Sequence, residues 1–181
     1  MVGQKSKYIT IFISLILIMT LSACDKYVNT RSSSQTQGHA ILKCFEKKDK
    51  ETLKSIFSEK IRKRKEFDSE IDTALNFIDG KIVSFDPDTD GGSGDSIDDG
   101  KINYIRLYIH IRDIKTDKEK KYSIFGTYYI KNGIEPDNEG LVALTIYDET
   151  NTEGLDPTNY PQVTVGDYGK YWYNYRTLIV K

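Results

Sequence analysis

The sequence predicts an α+β fold in which N-terminal helices pack on a curved antiparallel sheet. Two observations carry that prediction. Apolar residues recur at helical spacing from residue 41 to residue 78, and at a period of two from residue 82 onward. Helices first and strands afterwards favour segregated layers with an antiparallel sheet over alternating units with a parallel one.

Ile41, Leu42, Cys44 and Phe45 fall on one helical stripe and predict a first helix over 36–48. Asp49 is placed to cap a second helix, where Leu53, Ile56, Phe57 and Ile61 share a face. Phe67, Ile71, Ala74, Leu75 and Ile78 continue the period through a third, with Asp68 or Ser69 as its cap and Gly80 as its stop. The basic run Arg62-Lys63-Arg64-Lys65 reads as favourable charge at a helix C-terminus.

After Gly80, Ile82-Val83-Ser84-Phe85 predicts a short strand, and the Asp/Gly stretch 86–101 a long hairpin connection. Residues 102–112 alternate cleanly. Ile105, Leu107, Ile109 and Ile111 point one way; Tyr104, Arg106, Tyr108, His110 and Arg112 point the other. Further strands are expected over 121–130, 140–147 and the tyrosine-rich 171–180, with 149–170 as a polar connection.

The chain has 181 residues, 38% hydrophobic and 29% charged, which suits one globular domain after a leader and argues against disorder. Net charge is -1 and becomes more acidic once Lys5 and Lys7 leave with the leader. Nucleic acid needs a concentrated basic field, so no nucleic-acid partner is expected.

Lys5 and Lys7 precede an apolar run over 9–20, too short to span a bilayer comfortably, and then Leu21-Ser22-Ala23-Cys24. L-S-A-C resembles the lipobox of bacterial lipoproteins. The resemblance implies a signal peptide over 1–23 and acylation of Cys24, palmitate being a typical chain. It also implies a cell-membrane location, lipid-anchored and facing outside the cytoplasm. A diacylglyceryl group supplies two acyl chains, enough for stable anchoring where one is marginal. Asp25 resembles an inner-membrane retention signal if the host is double-membraned. Polar, serine-rich residues up to 37 read as a flexible tether over 24–37, leaving a single α+β domain over 38–181. With Cys24 acylated, Cys44 has no intramolecular partner and reads as a small buried hydrophobe.

The lipobox, the tether, helices of this size, then "GKIVSFD", a Gly/Ser/Asp loop, "GKINYIRLYIHI" and "KKYSIFGTYYI" together resemble a family of uncharacterised bacterial lipoproteins with a domain of unknown function. That domain is similar to nuclear transport factor 2 and to cystatin-like folds, and the resemblance covers roughly residues 36 to 148. It implies a helical layer against a curved sheet and no particular activity, because that fold hosts enzymes, binding modules and scaffolds alike.

Three groups of residues are candidates for chemistry. His110, with Arg106 and Tyr108 on the same strand face, is the catalytic or small-ligand candidate; the alternative is a solvent-facing side with ordinary cross-strand pairs, and the neighbouring arginines disfavour a protonated imidazole. His39 sits near the tether and reads as solvated. Asp86, Asp88 and Asp90 fall at positions 1, 3 and 5 of a calcium loop, with Gly91 at the sharp turn, but Ile97 stands where the closing Glu belongs. No cofactor is expected beyond weak calcium binding at millimolar levels. Tyr171, Trp172, Tyr173 and Tyr175 offer flat faces for sugars or peptides, against ordinary cross-strand aromatic packing. No Ser/His/Asp arrangement, phosphate loop or H-x-x-x-H spacing occurs. The expectation is a non-catalytic binding or interaction module at the outer face of the cytoplasmic membrane, with an unknown protein or cell-wall partner. The alternative is a small enzyme or ligand binder built around His110.

Overall fold

The computed structural model describes residues 30, 32–86, 90–156 and 159–167, with the backbone only of Asp90. Within them, four helical segments precede a six-stranded, open and curved antiparallel sheet, so the α+β class and its order stand. Cys24, Asp88 and the predicted strand over 171–180 lie outside the described residues.

Helix α1 covers 32–47. Residues 32–37, expected in the tether, are therefore helical. Ser34 is fully buried, and its hydroxyl donates to the Tyr108 carbonyl oxygen. A buried, satisfied hydroxyl takes the place of the apolar residue that periodicity looks for. Lys48 turns the chain with φ of 52° and sets its ammonium on the Leu75 and Ile78 carbonyl oxygens.

Helix α2 runs Lys50–Ile56 and is capped as expected, the Asp49 carboxylate accepting from the Thr52 amide at 3.0 Å. The second helix does not continue to Ile61. It breaks at Phe57-Ser58 and resumes as α3, Glu59–Arg62. Phe57 forms a parallel bridge to Leu141, and the Ser58 amide donates to the Leu141 carbonyl at 2.9 Å. Gly140, at φ of 116°, permits that approach: a Cβ there would lie 2.9 Å from the Ser58 nitrogen. Across the break Leu53, Phe57 and Ile61 stay in the core, and Ile56 is only partly buried.

Helix α4 runs Phe67–Phe77. Its N-cap is Glu66, without a side-chain hydrogen bond, rather than Asp68 or Ser69. Phe67 is buried edge-on against Phe57, ring centroids 5.2 Å apart, and this packing sets the helix start. Arg64, in the basic run before it, turns to Glu70 at 2.9 Å, and the other Glu70 oxygen accepts from the Gly166 amide at 3.0 Å. The run therefore contributes one inward ion pair as well as surface charge.

The strands are β1 Ile82–Ser84, β2 Asp90–Asp98, β3 Lys101–Thr116, β4 Lys121–Asn132, β5 Gly140–Asp148 and β6 Gln162–Gly166. Their order is β1-β3-β4-β5-β6, and β2 also pairs with β3. Because β4 takes one side of β3, strands β1 and β2 share the other, β1 near Thr116 and β2 along Lys101–Ile109. The Asp86 amide donates to the Arg112 carbonyl between them.

The long connection expected over 86–101 is thus mostly strand. Its turn is only Asp99-Gly100, both at positive φ (44° and 75°), the type I′ signature whose twist matches paired strands. Glycine, serine and aspartate give β2 no apolar alternation, so a period-two reading passes over it. Strand β6 replaces part of the expected loop before residue 170.

Ile109, Ile111, Ile124, Leu144, Ile146 and Val165 form the sheet side of the core, against Ile41, Phe45, Leu53, Phe67 and Ile71 from the helices. Each such side chain contributes roughly 1.5–3 kcal/mol on burial. Leu107 is buried as expected, Ile105 only partly. An irregularity between Ile111 and Ile114, with Asp113 at φ of 51°, returns Ile114 to the core face.

Candidate functional site

Arg106, Tyr108 and His110 alternate along β3 with the buried Leu107, Ile109 and Ile111, so all three stand on the face away from the main core. The Arg106 guanidinium carbon lies 4.7 Å from the Tyr108 ring centre and 5.4 Å from that of Tyr104. It is held as a cation between aromatic faces. Among the described residues it makes no ion pair.

Strand register decides the surroundings of His110. Its Cα partner on β4 is Phe125, and Phe125 pairs in turn with Thr145 on β5 and Thr145 with Thr164 on β6. The imidazole stacks on Phe125 with centroids 3.9 Å apart and planes 28° apart. Phe125 meets the buried Tyr147 ring edge-on at 5.7 Å. The Thr145 and Thr164 hydroxyls are 3.0 Å apart. Ser123, Thr127 and Thr145 are buried beside them.

Burial, assisted by the Arg112 guanidinium and opposed by Asp86 and Asp113, pushes His110 from its ordinary 6.5 down to about 4. The ring is neutral at physiological pH, well below the range that suits a general acid or base there. Asp86, the carboxylate whose charge most opposes that shift, pairs with Arg112 at 2.8 Å. The arrangement offers an aromatic and hydroxyl-bearing surface with one ring-held cation.

A family model matches residues 40–149 and is described as a domain of unknown function (DUF5104). The chain belongs to the DUF5104 family. The matched span runs from α1 to just past β5 and contains Arg106, Tyr108, His110, Phe125 and Tyr147; β6 lies beyond it. No curated protein matches the chain.

Of the other candidate site residues of this DUF5104 protein, Asp86 and the backbone of Asp90 are among those described. Asp86 faces Arg112, and the Asp90 backbone opens β2. Among the described residues no group of three or more His, Cys, Asp or Glu is placed to hold a metal. Tyr171, Trp172, Tyr173 and Tyr175 lie outside the described residues, as Cys24 does. His39 is exposed and meets Phe85 edge-on at 5.7 Å. Cys44 is buried, its thiol bonded to the Ala40 carbonyl and pushed up by burial, which suits an inert structural thiol. No described helix is long and apolar enough to cross a membrane. Sequence reasoning missed Phe125, Tyr147 and the threonine pair; the strands expected over 121–130 and 140–147 hold Phe125, Thr145 and Tyr147, while Thr164 falls in the expected polar connection, and only the register joins them to His110.

Proposed function

We propose that this DUF5104 protein is a lipoprotein, anchored through Cys24 at the outer face of the cytoplasmic membrane. Its domain, of the nuclear transport factor 2-like or cystatin-like type, acts there as a non-catalytic binding module for a protein or cell-wall partner. Leu21-Ser22-Ala23-Cys24 supports the anchor. Helices packed on an open, curved antiparallel sheet support the fold type. The observation that carries the non-catalytic reading is His110 itself, stacked on Phe125 and held neutral, with Asp86 turned to Arg112. The half-buried aromatic surface around it favours a second reading, a small-ligand site on the same face.

The test has two arms. Cells expressing the full chain are fed an alkyne-tagged palmitate; labelling and membrane fractionation are expected in the wild type and lost in Cys24→Ala. The purified protein is offered wall fragments, esters and nucleotides, and no turnover is expected. Turnover abolished by His110→Ala would replace the binding module with an enzyme.

A further inference from the structure

Exposed aliphatic side chains gather at one end of the sheet. Of six large exposed hydrophobics among the described residues, four belong to the β2–β3 hairpin tip or the adjoining end of β4: Ile97, Ile102, Ile130 and Ile134. Ile97 and Ile102 are direct cross-strand partners, 49% and 41% exposed. Beside them, the Gly133 amide donates to the Asn103 carbonyl at 2.8 Å, and Ile134, 68% exposed, follows at once. Only glycine allows that approach, because a Cβ at 133 would overlap the Ile102 carbonyl.

The row is held in place. The Asn103 side chain bonds Ser96 across the hairpin at 3.2 Å. The Asn132 side-chain oxygen accepts from the Ile134 and Glu135 amides at 3.2 and 2.9 Å. The aliphatic surface is therefore built into the hairpin and its neighbour, and ordering it costs a partner little. An apolar patch rimmed by polar residues marks an interaction site.

Charge selects the partner. Asp95, Asp98 and Asp99 are exposed on β2 and its turn; Lys101 faces Asp98, and Arg106, the partner of Gly94 beside Asp95, is held against the Tyr104 and Tyr108 rings. Lys131 is paired with Glu139 at 2.9 Å and Lys60 with Glu135 at 3.1 Å. An anionic lipid surface is disfavoured by such a rim, and a cationic partner is favoured. We propose that this end of the sheet docks a segment of another protein that presents aliphatic side chains between lysines or arginines. The proposal deepens the binding-module reading, on which it rests.

The test uses the full chain in detergent and two nine-residue fluorescent peptides, one alternating Lys and Val, the other Glu and Val. Saturable binding of the Lys-Val peptide is expected, weakening with added salt, and at least roughly tenfold tighter than the Glu-Val peptide. Ile134→Ser, in an exposed bend, and Ile102→Thr, which keeps strand propensity, both remove aliphatic surface without changing charge and are each expected to weaken it about tenfold, with wild-type melting temperature as the control for folding. Several results would overturn the proposal: no saturable binding, equal binding of both peptides, or binding indifferent to both substitutions. So would a concentration-dependent dimer abolished by Ile134→Ser, which makes the occupant a second copy. Ile134-dependent flotation of the Cys24→Ala chain with phosphatidylglycerol vesicles would make it lipid. None of these outcomes alters the palmitate or turnover results, so the two readings fail separately.

Discussion

Ser34 donates its hydroxyl to the main-chain oxygen of Tyr108 at 2.9 Å, joining the start of α1 to the middle of β3. The contact makes residues 32–37 part of the fold. Ser34→Ala is expected to lower stability by about 1–2 kcal/mol, through the lost bond and the stranded carbonyl, as read by urea denaturation. A chain beginning at residue 38 is expected to lose more. Equal stability of the shortened and longer chains would return these residues to the tether.

His110 gives the domain an acid-side weakness. Its folded pKa, about 4, lies below its ordinary 6.5, so the unfolded chain holds the proton more tightly. The contribution is complete above about pH 6.5 and is lost as pH falls toward 4, amounting to roughly 1–3 kcal/mol after allowance for partial exposure. His110→Phe keeps a ring on Phe125 and removes the proton site. Its melting temperature should fall less than that of the wild type between pH 7 and pH 4.5; parallel curves would refute the assignment.

Asp86 makes the calcium expectation testable at one residue. Its carboxylate is 2.8 Å from the Arg112 guanidinium, and a cation there would have to displace that group. Millimolar calcium is expected to leave the melting temperature unchanged. A rise that disappears in Asp86→Asn would establish a metal site, since a ligand that binds only the folded state raises its stability. Asp86→Asn alone is expected to cost about 1 kcal/mol, since the pair is partly exposed.

Glu70 ties the helical layer to the last described strand. It accepts from Arg64 and from the Gly166 amide, so Glu70→Ala strands a backbone donor and leaves the guanidinium only the more distant Asp167, at 4.0 Å. A loss of about 2–3 kcal/mol is expected, and Glu70→Gln, which keeps an acceptor, should recover part of it. Equal losses in chemical denaturation would mean that charge, not hydrogen bonding, is what Glu70 supplies.

The apolar stripes of α1 and α4 and the alternation of β3 were legible because each is a local pattern with its own period. That alternation also placed Arg106, Tyr108 and His110 on one face. What the sequence left hidden is non-local. The stack of His110 on Phe125 depends on the β3–β4 register, which no single strand encodes. The break after Ile56 depends on Gly140, far along the chain, which lets Leu141 capture the Ser58 amide. Strand β2 was missed for a different reason. Its residues argue against a strand, and only Asp99-Gly100 argues for the hairpin. Its Asp and Gly content reads instead as a long hairpin connection.

That break at Phe57-Ser58 has a kinetic corollary. The Ser58 amide sits in a helical stretch of sequence, yet its acceptor is the Leu141 carbonyl at the start of β5. In hydrogen–deuterium exchange it should open with the sheet rather than fray with α2 or α3, marking the two layers as one cooperative unit. An amide at Ser58 that exchanged as fast as those of the short helix after it would show that the layers come apart independently.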